Sequence, residues 1–226
     1  MKRIVVAIDG PAGAGKSTIA RRVAEKLGYL YLDTGAMYRA VALWALRTGV
    51  ALDDMHRLEQ LALSAEISLD GAKVTLNGED VSAAIRAADV SAAASKVSAV
   101  AGVRRALVDK QRAMAEAVSV VMEGRDIGTV VFPDAAVKIF LDASSTVRAQ
   151  RRLEELAARD AAADAAAVAR DMKERDHRDR GRAEAPLVQA PDAVLLDSTA
   201  LTLEEVEDAV LRLVRARTSN GKEVAR

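Results

Sequence analysis

One stretch constrains this chain more than any other. Gly10, Pro11, Ala12, Gly13, Ala14, Gly15, Lys16, Ser17 and Thr18 set a G-x-x-x-x-G-K-S spacing between an apolar run, Ile4 to Ile8, and a helical pattern from Ile19 to Leu27. Strand, glycine loop, helix is an arrangement in which backbone N–H groups can converge on an anion. Gly10, Gly13 and Gly15 let the chain curl without Cβ clashes. The helix then adds its unpaired N–H groups and the positive end of its dipole. In that pattern Lys16 reaches the outer phosphates and the Ser17 hydroxyl takes a place on Mg²⁺. A glycine turn that merely caps an ordinary helix is the bland alternative, and the flanking strand and helix weigh against it. The stretch implies a nucleoside triphosphate site.

The rest of the chain limits what surrounds that site. Its 226 residues suffice for one α/β core with inserted elements, or at most two small domains. Basic and acidic side chains balance at 33 each, so no whole-surface attraction to nucleic acid or membrane is expected. The absence of cysteine excludes disulfides and thiolate chemistry, and two histidines, His56 and His177, cannot build a histidine-rich metal site. No apolar run reaches about 20 residues and the chain enters its first strand at once, so a soluble, cytoplasmic protein is expected. The even charge balance and the lack of an exposed apolar repeat lead to the expectation of a monomer.

Along the chain, Tyr29 to Leu32 reads as a second strand, and Thr34 as the N-cap of a helix from Ala36 to Arg47. A further helix is expected from Asp54 to Leu63. Between Glu66 and Val81 the pattern changes: short alternating runs are punctuated by Asp70-Gly71 and Asn77-Gly78, strong hairpin signals that predict a small antiparallel sheet. Helical stretches follow, Ser82 to Ala99 and Val103 to Ala117. Apolar strands are expected at Val118 to Met122, Val137 to Leu141 and Ala193 to Leu196. A charged helical region spans Thr146 to Arg182. A last helix, Leu203 to Arg217, should bury Leu203, Val206, Val210 and Leu213, with a frayed tail from Ser219.

Strands alternating with helices predict a parallel sheet covered on both faces, with ligands at the carboxyl ends of the strands. Those ends are Asp9 to Thr18, Asp33 to Arg39, Glu123 to Gly128, Asp142, and Asp197 with Ser198. No Asn-Lys-x-Asp guanine-reading motif is found, no Asp-x-x-Gly switch, and no strong apolar run ending in paired acids of the motor type. A small-molecule kinase instead needs converging arginines to hold a phosphate-bearing acceptor. Arg39 and Arg125 stand at strand ends. Arg104, taken alone, reads as a solvated surface charge. Asp126 either pairs with Arg125 or accepts from an amino group on a base. The run Lys173 to Arg182 is either a salt-bridged helix face or a lid that brings arginines onto the transferring phosphoryl, with Arg148, Arg151 and Arg152 as further candidates.

Five blocks, Asp9 to Ser17, Leu32 to Arg39, Glu123 to Asp134, Lys138 to Ser144 and Arg175 to Arg180, together closely resemble bacterial cytidylate kinases. The likeness runs in order over nearly the whole chain and includes the hairpin insertion. It implies an α/β P-loop kinase core: a parallel sheet with helices on both faces, an inserted acceptor-binding domain carrying the small antiparallel sheet, and a helical lid. The expected divisions are 1–33, 91–147 and 183–226 for the core, 34–90 for the acceptor insertion and 148–182 for the lid. It implies transfer of the γ-phosphoryl of ATP to CMP or dCMP, with Mg²⁺ as cofactor.

The resemblance also implies roles. Lys16, Arg125 and Arg175 would be catalytic. Gly10 through Thr18, with Arg151, would bind ATP, and Ser17 would reach the metal. Thr34, Arg39, Ser95, Arg104, Arg125, Asp126, Arg175, Asp179 and Arg182 would bind CMP, which sets aside the bland reading of Arg104. Two departures from the family pattern stand out: Thr34 replaces a serine, keeping the hydroxyl and adding a methyl, and the lid is alanine-rich from Ala157 to Ala169. The competing readings are a kinase of the same architecture for UMP, AMP or shikimate, a nucleotide-dependent regulatory protein, and a structural module.

Overall fold

The computed structural model describes residues 3–158 and 164–219. In chain order the elements are β1 (Val5–Asp9), α1 (Lys16–Leu27), β2 (Leu30–Asp33), α2 (Thr34–Arg47), α3 (Met55–Ser64), β3 (Ile67–Asp70), β4 (Lys73–Leu76) and β5 (Glu79–Asp80). They continue as α4 (Ala88–Val97), α5 (Ala101–Met114), β6 (Val120–Gly124), β7 (Val137–Asp142), α6 (Ser145–Ala157), α7 (Ala165–Arg180), β8 (Val194–Asp197) and α8 (Leu203–Ser219).

Five strands form one parallel sheet in the order β2-β6-β1-β7-β8, as the continuous apolar runs require. Every residue of β1 and β6 is buried. Alternation along β1 sends Val6 and Ile8 to one face, where they meet Ile19 and Val23 of α1 and Val206 and Val210 of α8. Val5 and Ala7 point to the other, against Leu32, Met122, Ile127 and Val108 of α5. A third apolar cluster joins α2, α3, α4 and α5 to the inserted sheet through Met37, Val41, Leu58, Leu76, Val97 and Leu107. That insertion is antiparallel, ordered β3-β4-β5, with its turns at Asp70-Gly71 and Asn77-Gly78 as expected. Both turn glycines have positive φ, and so does Asn77.

The structure departs from expectation at the element ends, for identifiable reasons. Each core strand runs one or two residues past its last apolar side chain, so Asp9, Asp33, Gly124, Asp142 and Asp197 belong to the ladder. Hydrophobicity marks burial, whereas pairing continues to the polar carboxyl edge. Asp33, not Thr34, caps α2: its carboxylate accepts from the Ala36 N–H at 3.0 Å, and the Thr34 hydroxyl donates instead to the Glu123 carbonyl at 2.7 Å. Extended backbone at Ala87 (φ −61°, ψ 150°) breaks Ser82–Ala99 into a 3₁₀ turn, Ala84–Arg86, and then α4. The next helix begins and ends earlier than expected, as α5. The charged region from Thr146 divides into α6 and α7, with 159–163 outside the described residues. In α8 Leu203 is exposed and Leu213 only partly covered, while Leu211 and Val214 complete the buried stripe with Val206 and Val210. The tail beyond Ser219 also lies outside the described residues. Among those residues no helix is long and apolar enough to cross a membrane.

Candidate active site

The phosphate loop leaves β1 at Gly10, where φ is +150° and an added Cβ would lie 2.0 Å from the Leu141 carbonyl oxygen on β7. No side chain fits between these two backbones. At Gly13 (φ +74°) a Cβ would meet the Arg148 carbonyl oxygen and the Met172 Cε at 2.8 Å each. The loop is therefore packed directly under α6 and α7. Lys16 is buried and its Nζ donates to the Pro11 carbonyl at 2.7 Å, curling the loop around the amine as its centre. Ser17 and Thr18 stand exposed at the start of α1.

Positive charge converges on that centre. Burial, and then Arg125 and Arg175, push the Lys16 amine down to about 7; Glu123 and Asp179 act against this. Arg175 is held down to about 10 by burial and by Arg125, and among the described residues it has no ion-pair partner within contact distance. Arg125 donates from Nε to Asp179 at 2.8 Å. Asp179, 2% exposed on α7, also receives Arg182, so one carboxylate is shared by two guanidiniums and the cluster keeps a net positive charge. Burial raises its carboxyl, but Arg125, Arg182 and Arg175 outweigh it and hold the group below the ordinary carboxylate range.

A second group lies behind this one. Arg104, 4% exposed, pairs with buried Asp126, donates to the Ser98 carbonyl at 3.2 Å and sits 5.6 Å over the Tyr38 ring. Asp126 thus pairs with Arg104, not with Arg125, and Arg104 is not a solvated charge. Arg182 donates to the Ser98 hydroxyl at 2.9 Å, so Arg104 and Arg182 meet at the end of α4. Four buried groups here, Ser95 Oγ, Arg104 Nε, and Arg182 Nε and Nη1, have no hydrogen-bond partner among the described residues. Buried polar groups are normally paired, so unused ones gathered around Ser98 point to a polar ligand.

The remaining sequence candidates are tied elsewhere. Arg39 pairs with Asp33 at 2.8 Å and is half-buried, contributing to the field at Arg175. Arg151 holds the Ser198 hydroxyl and carbonyl at 3.0 and 2.9 Å and the Ala14 carbonyl at 3.4 Å, a brace between the phosphate loop and the β8 end. Buried Arg148 joins the Ala12 and Ala143 carbonyls to Asp176 of α7 at 3.1, 3.0 and 2.7 Å. It works as a strut, and Arg152 pairs locally with Glu155 at 2.7 Å.

The cytidylate kinase family model matches residues 6–216. This chain belongs to the cytidylate kinase family. It is 61% identical over 224 residues to the cytidylate kinase of Solibacter usitatus (strain Ellin6076), covering 98% of this chain and 97% of that one. It is 49% identical to the cytidylate kinase of Caldanaerobacter subterraneus subsp. tengcongensis (strain DSM 15242 / JCM 11007 / NBRC 100824 / MB4), covering 95% and 96%. A gluconokinase from Sinorhizobium meliloti 1021 shares the fold at a TM-score of 0.53 and 15% identity, with all of both chains covered. The chain is an enzyme of this family, a kinase.

Two acids at the site of this cytidylate kinase family member escaped the sequence reading of its chemistry. Glu123, the residue before Gly124 on β6, is buried with its carboxyl raised by desolvation and by Asp33; Lys16 and hydrogen bonds from Tyr31 and Ser17 pull it back. The Tyr31 hydroxyl donates to it at 2.6 Å. A lone acid closing an apolar run was the only signal available. Asp9, at the end of β1, accepts from two backbone N–H groups of a distant turn. Nothing local marks that role.

Proposed function

We propose that this enzyme transfers the γ-phosphoryl of ATP to CMP or dCMP, giving ADP and CDP or dCDP. The observation that supports it best is the set of unused buried donors, Ser95 Oγ, Arg104 Nε and Arg182 Nε and Nη1, joined through Arg125 to a glycine loop with a buried lysine. A pyrimidine monophosphate has the acceptors those donors lack. In this reading 34–90 forms the acceptor insertion, with Thr34 and Arg39 at its inner edge and Arg39 toward the phosphate. Ser95, Arg104 and Asp126 hold the base, and Arg125, Arg175 and Arg182 hold the phosphate, with Asp179 also reaching the sugar. Gly10 through Thr18, with Arg151, hold ATP.

Catalysis then consists of alignment and charge neutralisation, since an oxygen of the acceptor's own phosphate attacks. Lys16 gathers the outer phosphates of the donor and regains its full charge there. Arg125 and Arg175 face the transferring group, and closure of 148–182 excludes water that would otherwise accept the phosphoryl. The exposed Ser17 hydroxyl, beside the Glu123 carboxylate and near Asp33, is a hard oxygen set that fits Mg²⁺. Ser17 would hold the ion and Glu123 its water shell; bound there, the ion offsets charge on the donor's phosphate oxygens. We infer a cytoplasmic monomer.

ADP release from Mg-ATP, with CMP, dCMP, UMP and AMP offered separately, tests this reading. Turnover led by CMP and dCMP is expected. Turnover led by UMP or AMP would reassign the base-reading residues, and ATP binding without any acceptor-dependent turnover would move the chain to a regulatory role.

A further inference from the structure

The turn that carries the acceptor chemistry is capped from the wrong strand. Residues Ile127–Val131 form a π-helical turn, with Val131 N–H donating to the Asp126 carbonyl at 3.2 Å and Phe132 N–H to that of Ile127 at 2.7 Å. Such turns are rare and gather at functional sites. Asp126 occupies the N-cap position, where an aspartate ordinarily turns its own carboxylate onto the first free N–H groups. Here it does not: the Asp126 side chain makes no capping bond and pairs with Arg104.

The free N–H groups are taken by Asp9 instead, 118 and 119 residues away in the chain. Its Oδ1 accepts from Ile127 at 2.8 Å and its Oδ2 from Gly128 at 2.7 Å. The parallel register puts Asp9 beside Gly124, which brings β1 within reach of the turn. The carboxylate is 5% exposed, and the cost of burying it shows in a carboxyl pushed up to about 6 despite both N–H bonds. A neutral side chain would be a cheaper filler of this place if packing were all that mattered. The residue after Asp9 is Gly10, where the phosphate loop begins.

We propose that Asp9 is a positioning residue for the acceptor site: by capping the 127–131 turn from β1 it frees the Asp126 carboxylate for Arg104. It thereby sets both residues in fixed relation to the phosphate loop. Without it, Asp126 has two uncapped N–H groups of its own turn to satisfy and is drawn off Arg104. This role rests on the assignment of Arg104 and Asp126 to the acceptor.

Steady-state kinetics on the full chain test it, with Asp9→Asn made in the wild type and in an Asp126→Ala background. In the wild type Asp9→Asn is expected to raise the CMP KM about tenfold or more while the ATP KM moves less than about threefold. In the Asp126→Ala background, with no carboxylate left to free, Asp9→Asn should change the CMP KM less than about threefold. An unmoved CMP KM, an equal rise in the ATP and CMP values, or the same factor in both backgrounds would overturn the role. If Asp9→Asn does not fold, backbone amide NMR of the wild type decides: the Ile127 and Gly128 amides should shift on CMP addition, and unshifted amides would overturn it. Failure of the wild type to phosphorylate CMP would refute the acceptor assignment, and this role with it. Normal wild-type turnover with an unmoved Asp9→Asn KM would refute the role alone.

Discussion

Removing Asp126 leaves Arg104 as an uncompensated buried charge, and the structure allows the loss to be worked out. Both partners are at most 5% exposed, and what remains for the guanidinium is the Ser98 carbonyl at 3.2 Å and the Tyr38 ring at 5.6 Å. Breaking a buried pair from one side costs about 3–5 kcal/mol. At roughly 2.1 cal/mol/K per residue, 226 residues give an unfolding entropy near 0.47 kcal/mol/K, so Asp126→Ala should lower Tm by about 6–11 °C. Arg104→Met combined with Asp126→Ala removes both charges and should recover most of that, to within about 4 °C of wild type. Thermal unfolding followed by circular dichroism at pH 7.5 measures all three. Repeated with CMP at about 100 times its Kd, the wild type should gain roughly 6 °C and the double variant almost nothing. A single variant melting within about 2 °C of wild type, or a double variant no better than the single, would refute the reasoning that this pair is held by desolvated charge.

Four further outcomes are expected. Lys16→Met should cut turnover by about 10²–10³ while leaving the CMP KM within a few fold, because the lysine serves the donor phosphates; equal losses in both would count against that division. Arg125→Met should raise the CMP KM by about 10- to 100-fold, the value of a charge-assisted hydrogen bond, and an unchanged CMP response would remove it from the acceptor site. ATP binding at pH 8 should take up a proton. The unliganded Lys16 amine, held at about 7, is mostly neutral there and regains its charge beside the phosphates, whereas at pH 6 it is already charged. Calorimetric binding enthalpies at pH 8 that do not vary with buffer ionisation enthalpy would contradict this. Glu207→Gln should lower Tm by about 2–4 °C at neutral pH without changing either KM, since buried Glu207 ties Arg22 and Lys26 of α1 to α8, and both partners are partly screened by solvent. Lys26, its first cause, and Arg22 depress its carboxyl, so its contribution is present above the unfolded value of 4.5 and lost as pH falls through the folded one. The gap between the variants should therefore close in acid.

The sequence makes legible what neighbours in the chain enforce on one another. The phosphate loop is such a case: glycine spacing, the lysine and the hydroxyl act within nine residues, Gly10 to Thr18, between a strand and a helix that are themselves local patterns. The inserted hairpins are another, since Asp70-Gly71 and Asn77-Gly78 carry their turn geometry in their own backbones. The Glu123–Gly128 block stood out as charge at a strand end between two apolar strands. Partnership was not legible. Arg125 and Arg104 each had an adjacent or nearby acid, yet Arg125 chose Asp179, 54 residues on, and Asp126 chose Arg104. Thr34 looked like a cap because it precedes the apolar pattern, but β2 carries Asp33 into that place and turns Thr34 toward Glu123.

By itself, then, the sequence determined a parallel α/β core around a phosphate loop, with an antiparallel insertion and a charged helical segment after the fourth core strand. Periodicity and turn chemistry act over a few residues and need no partner to be expressed. Only the tertiary structure decided which charges are buried together, and that Asp9 caps a turn 118 residues away. Desolvation and ion pairing depend on the distance between side chains, and the order of strands in a sheet sets that distance.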